Sequence, residues 1–167
     1  MSARLVMPAK LVRLSPHFTL LELCHTNHRF IDNTPSPEQV ERLRALAVQL
    51  LEPLRQRFGP LYASSGFRAR KLNTAIGGAK RSAHLDGHAG DMIPLRAGVT
   101  IAEMIRWLRD ESGLVWDQAI DECNAKHESW LHIALPPVWL RGPARQQCKV
   151  WRPETGYTNF PPLRGAA

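Results

Sequence analysis

Apolar residues recur at three- and four-residue steps through Val40, Leu43, Leu46, Leu50, Leu54 and Phe58, with Arg42, Arg44, Gln49, Arg55 and Arg57 mostly between them. That period is helical, and it predicts a helix with one face buried in a core. Ser36 stands where an N-cap belongs, Pro37 suits the first helical position, and Gln39 completes a capping box. Pro53 should bend the helix, because it removes an interior hydrogen bond, and Gly59-Pro60 ends it. Capping boxes also open shorter helices at Thr19 to Glu22 and at Thr100 to Glu103. The second of these carries Ile101, Met104, Ile105 and Leu108 on one face and has Gly113 beyond its end. Lys71 to Ile76 fits one or two helical turns before Gly77-Gly78.

Strand patterns follow at Leu61 to Ala63, Ala89 to Ile93, Gln118 to Cys123 and Trp130 to Leu135. The polar stretch between the last two allows a hairpin. Asp32 to Pro37 is a turn-rich linker, and the proline-studded tail from Pro136 reads as an irregular, wrapping extension. Helices first, then strands mixed with one helix, predict an α+β fold. The expected organisation is an N-terminal lead over 1–17, a single domain over 18–135, and a Pro/Arg-rich extension over 136–167 packed on the same domain.

Composition narrows the class. A chain of 167 residues with 44% hydrophobic content suits one globular domain and argues against disorder. No run approaches the ~18 to 20 apolar residues of a membrane span, and Lys10, Arg13 and Pro16 break the N-terminal apolar stretches, so neither a spanning helix nor a secretory signal is expected. Cys24, Cys123 and Cys148 are scattered and form no CxxC pair, which predicts free thiols. The net charge of +7 suits a polyanion of any kind and selects none.

The chemistry concentrates in Ser82-Ala-His84-Leu-Asp-Gly87-His88-Ala89-Gly90-Asp91. Small residues let the backbone approach closely, His84 offers an imidazole and Asp91 a carboxylate. A catalytic zinc that keeps its fourth position open needs a third protein ligand. His132, inside the apolar strand Trp130 to Leu135, is the candidate. Asp86 and His88 read as loop side chains, and His17, His25, His28 and His127 as surface or packing histidines.

The string S-x-H-x-x-G-x-A-x-D, matched at Ser82, His84, Gly87, Ala89 and Asp91, resembles the zinc signature of the D-Ala-D-Ala carboxypeptidase/endopeptidase (LAS) metallopeptidases, which include phage endolysins. Trp130 and His132 match the W-x-H strand of that family. Ser65-Gly66-Phe67-Arg68, Leu72-Asn73 and Ile76-Gly77-Gly78 resemble its short, phage-type branch, as do Phe18-Thr-Leu and Ile31-Asp-Asn-Thr-Pro near the start. The resemblance implies a small antiparallel sheet bearing the zinc site and flanked by helices, in a hedgehog/D-Ala-D-Ala peptidase-like fold. It implies one Zn2+ held by His84, Asp91 and His132, with Arg68 holding a substrate carboxylate or carbonyl and Ser82 shaping the ligand loop or bonding substrate. The implied substrate is the peptidoglycan stem peptide.

The chain departs from the family at the catalytic carboxylate. Many relatives carry Glu or Asp three residues before the last His, where this chain has Ser129. Glu122 and Glu128 are the replacements. Along an extended strand Glu128 would lie roughly 13 Å from His132. A hairpin centred near His127 would instead set Glu122 opposite His132, with Cβ atoms about 5 Å apart. Ile120-Asp121-Glu122 also resembles the I-x-E strand of the phage-type branch. Glu122 is therefore the expected base, and Glu128 the alternative.

These readings predict a monomeric zinc peptidase, of phage or prophage origin, made in the cytoplasm and acting on the wall after release or as a particle component. Two rivals remain at this level. Two His and one carboxylate also form the facial triad of non-heme iron oxygenases, though with different spacing. A non-catalytic wall- or nucleic-acid-binding protein would explain the charge, but Arg141, Arg145, Arg152 and Arg164 with few flanking aromatics are a weak nucleic-acid signal. Trp107, Trp116, Trp139 and Trp151 read as core or tail-packing residues. Trp130 shares the strand face of His132 and is expected to support the site.

Overall fold

The structure, a computed structural model, describes residues 12–161. Most of the expected N-terminal lead, residues 1–11, lies outside them, and so does Arg164. The part of the lead that is described is already core, because Leu14 is buried beside Phe18.

Helix α1 (Leu20–Leu23) opens on the Thr19 capping box. Helix α2 (Pro37–Leu46) is capped by Ser36 and Gln39. It runs through a π-helical turn, Ala47–Leu51, into α3 (Glu52–Phe58). The bend expected at Pro53 takes this form. Proline offers no N–H to the carbonyl one turn back and crowds it, and the turn just upstream widens, with the Glu52 amide donating to the Ala47 carbonyl. Gly59, at φ 90, ends the helix. Strand β1 (Leu61–Ser65), helix α4 (Arg70–Ala75), a 3₁₀ turn at Ala83–Asp86, strand β2 (Ala89–Pro94) and helix α5 (Ile101–Asp110) follow. The chain ends in β3 (Gln118–Cys123), β4 (Ser129–Ala134), β5 (Gln147–Arg152) and β6 (Gly156–Asn159).

The six strands form one sheet in the order β1-β2-β4-β3-β5-β6. All neighbours are antiparallel except β3 and β5. The architecture is α+β, with α1, α2, α3 and α5 packed on one face of a mostly antiparallel sheet. The irregular tail is corrected: Gln147–Arg152 and Gly156–Asn159 are strands, because they pair with each other and β5 also pairs with β3 upstream. The tail is pinned at Asp117, fully buried, which accepts from the Arg145 backbone N–H at 3.0 Å and from its guanidinium.

Side-chain alternation decides what the sheet does. Met92, Leu131, Ile133 and Ala119 turn into the core formed with Leu43, Leu46, Leu50, Leu54, Met104, Ile105 and Leu108. Their strand neighbours must face the other way. Asp91, His132, Trp130 and Glu122 thus share the face away from that core.

Candidate metal centre

Each ligand is placed by a local device. The Ser82 hydroxyl caps the 3₁₀ turn, accepting from the His84 amide at 3.4 Å, and Gly87, at φ 79, closes the turn in the left-handed region. A Cβ at Gly87 would lie 2.9 Å from the Gln39 carbonyl oxygen, so the turn packs directly on α2. Asp91 and His132 are opposite one another on β2 and β4. A bulge in β1 between Ala63 and Ser65 brings Ser65 alongside Asp91.

The three side chains converge. His84, Asp91 and His132 are buried and offer ligand atoms that all lie within 4.8 Å of one another. His84 Nε2 lies 3.1 Å from His132 Nδ1 and 3.2 Å from Asp91 Oδ1, and His132 Nδ1 lies 2.9 Å from the same oxygen. The far side of the His84 ring fixes its protonation. A carbonyl can only accept, so Nδ1, 2.6 Å from the Gly66 oxygen, carries the hydrogen. A neutral His84 then turns a lone pair at Nε2 towards the other two ligands. Burial holds His84 below its ordinary pKa, against the raising influence of Asp91, which keeps the ring neutral. Burial alone would raise the Asp91 pKa, but its closely placed neighbours His84 and His132 outweigh it and hold the carboxyl well below its usual range. Acceptor atoms gathered out of water call for a cation, and two imidazoles with one carboxylate suit zinc with a fourth position open. The hydrogen bond from His84 to Gly66 is the kind of outer contact that orients a metal-binding histidine.

Arg68 is held beside this group. Its Nε donates to Ser65 Oγ at 2.8 Å, and its Nη2 donates to Asp91 Oδ2. Asn33 fixes the backbone here, donating to the Phe67 carbonyl at 3.0 Å and accepting from the Ala69 amide at 2.7 Å. Asn33 lies in the turn-rich linker, where an Asn is a common side-chain bridge to backbone.

The expected hairpin register is corrected. Ile120, not Glu122, stands opposite His132, and Glu122 stands opposite Trp130. The loop between β3 and β4 is organised by Asn124, whose Oδ1 accepts from the amides of Lys126 and Glu128, with His127 at φ 61. This turn shifts the hairpin centre towards the N-terminus. Glu122 nonetheless remains on the face of His132, one pair diagonal to it. Trp130 Nε1 donates to Glu122 Oε2 at 3.0 Å, so the indole supports the carboxylate rather than the histidine. Burial raises the Glu122 pKa and Asp91 adds to the effect, while His132, the Trp130 hydrogen bond and Arg68 oppose it. Glu128 is exposed and bonded to Asn124 Nδ2 at 2.7 Å, away from the ligand group.

A family model described as Peptidase M15 matches residues 16–134, a span that includes all three ligand positions. The chain belongs to the peptidase M15 family. M15 peptidases are zinc metallopeptidases of the cell-wall-acting kind, which agrees with the donor set. No curated protein matches the chain. In this M15 peptidase no helix among the described residues is long and apolar enough to cross a membrane. All three cysteines are free, and burial pushes the Cys24 thiol up to about 12. Two arginines of the tail are occupied within the fold, Arg145 with Asp117 and Arg152 with Asp121, which reduces the charge available to a nucleic acid.

Proposed function

We propose that the protein hydrolyses peptide bonds in bacterial cell-wall stem peptides, using one zinc ion held by His84, Asp91 and His132. The observation that carries this reading is the convergence of those three buried ligand atoms on the sheet face that also holds Glu122. A zinc ion held by these three residues would supply an activated water and polarise the scissile carbonyl. The chain's own residues do the rest. Glu122, with Oε2 held by Trp130, takes the water's proton on its other oxygen and delivers it to the leaving nitrogen as the C–N bond breaks. A carboxylate with a raised pKa suits this work, because it must both accept and return the proton near neutral pH.

Arg68 keeps Nη1 free of partners among the described residues, and that group is positioned to hold a substrate carbonyl or carboxylate. Ser82 acts through the ligand loop it caps. An endolysin-type role, with the protein made in the cytoplasm and released to the wall, fits the family and the small catalytic unit. Whether the cut is internal or removes a terminal D-Ala is read from the products.

The test is a digest of purified peptidoglycan by zinc-loaded protein, with new amines counted and the cut bond identified by mass spectrometry. Chelation should stop the reaction. His84→Ala should lose the metal, whereas Glu122→Gln should keep it and lose at least about 10²-fold in rate. Near-normal cleavage by Glu122→Gln would remove Glu122 from the mechanism, and wall binding without new amines would overturn the peptidase reading.

A further inference from the structure

Strands β5 and β6 lie beyond residues 16–134, the segment matched to the family, yet they extend the sheet face that carries the metal centre. Parallel pairing sets Lys149 beside Ile120 and Trp151 beside Glu122. Antiparallel pairing then sets Asn159 across from Lys149 and Tyr157 across from Trp151. Partners in register point to the same side of a sheet. Ile120 is paired with His132, and Glu122 with Trp130. Two rows therefore cross four strands. One runs His132, Ile120, Lys149, Asn159, and the other runs Trp130, Glu122, Trp151, Tyr157.

The alternate residues agree with this orientation, since Cys148 and Val150 pack against the hydrophobic core on the opposite face. Trp151, expected to be a tail-packing residue, stands on the site face instead. Tyr157 is 60% exposed; burial raises its pKa, and the carboxylates of Glu122 and Asp91 raise it further. The Tyr157 ring belongs to the row of Glu122 and Trp151. Lys149 Nζ lies 5.9 Å from the centroid of that ring. Among the described residues no carboxylate lies within ion-pair distance of Lys149. A hairpin that merely closed the sheet edge would need neither an aromatic pair nor an unpaired ammonium on this side.

We propose that Lys149, Trp151 and Tyr157 form one wall of the substrate cleft, the two rings supporting the bound peptide and the Lys149 ammonium holding a carboxylate of that peptide. With strands about 4.8 Å apart, Lys149 stands two strands, roughly 10 Å, from the backbone of His132. The carboxylate it selects therefore belongs to a residue beside the scissile bond and not to the bond itself. This assignment rests on the peptidase reading above.

The test uses the zinc-loaded full chain and one stem tetrapeptide in two forms, free acid and amidated. The wild type should prefer the acid form. Lys149→Met should raise its KM about tenfold, equivalent to roughly 1.4 kcal/mol, and erase the preference while kcat stays within about twofold. Lys149→Arg should restore the preference, and Tyr157→Ala should raise KM for both forms. Each variant must keep the wild-type melting transition, and Lys149→Gln replaces Lys149→Met if that variant does not. A preference that survives loss of Lys149, or an unchanged KM in Tyr157→Ala, overturns the wall. Calorimetric titration of Glu122→Gln protein with the same peptides separates the two readings. A Lys149-dependent acid preference without turnover in the wild type keeps the wall and sinks the peptidase, and turnover without that preference does the reverse. Binding of neither form overturns the wall as well.

Discussion

Glu122 is the residue on which chemistry and stability pull in opposite directions. Its carboxyl is pushed up by burial and by Asp91, so the folded chain holds that proton more tightly than the unfolded chain does. In metal-free protein its stabilising contribution is present below the ordinary carboxylate range and lost as pH rises through the raised value. Glu122→Gln should therefore melt at the wild-type temperature in acid and above it at neutral pH, as followed by thermal unfolding of chelator-treated samples. Equal melting at both pH values would contradict a raised pKa. The ligands themselves were legible in the sequence, because His84 and Asp91 sit among small residues and His132 interrupts an apolar strand. The pairing of Glu122 was not, since it depends on how Asn124 folds the intervening loop, and one altered turn residue changes which side chains face each other. Tyr157 and Lys149 carried no signal at all, because their importance comes from partners outside any local window.

At the level of elements, the capping boxes at Thr19, Ser36 and Thr100 are all realised. Short-range hydrogen bonds decide them, so short-range sequence reveals them. The site depends on a closer fit where β1 meets α1. A Cβ on Gly66 would fall 2.3 Å from the Leu23 carbonyl oxygen, the same oxygen that accepts from the Phe67 amide at 2.7 Å. Gly66 is also the residue whose carbonyl receives the His84 ring. Gly66→Ala must push the strand from the helix, at a cost of roughly 2–4 kcal/mol. It should also weaken zinc binding about 10–100-fold by releasing the His84 imidazole. Denaturant unfolding and a competition titration with a chromophoric chelator would measure the two effects. A loss of stability with unchanged zinc affinity would show that the Gly66 carbonyl does not orient the ligand.

Across the whole molecule, the helices, the central strands and the metal-bearing face follow from alternation that any stretch of the sequence displays. The terminal strands do not, since Gln147–Arg152 mixes Lys149 and Arg152 with Val150 and Trp151, and it joins the sheet only through a parallel pairing with β3. Asp117 and Arg145 join these parts. Arg145→Ala would leave a fully buried carboxylate without its guanidinium, costing about 2–3 kcal/mol because the arginine is partly solvated. The same variant should speed amide exchange in β5 and β6 more than in β2 and β4; uniform acceleration would mean that the tail is no separate unit of stability. The parallel pairing has a kinetic consequence. Strands β5 and β6 stand at the sheet edge and join it only through β3, so they can dock on, and detach from, a β1-β2-β4-β3 ladder that is already complete. Assembly would then install the catalytic atoms first and the surface that grips the peptide last, and local opening would remove them in the reverse order.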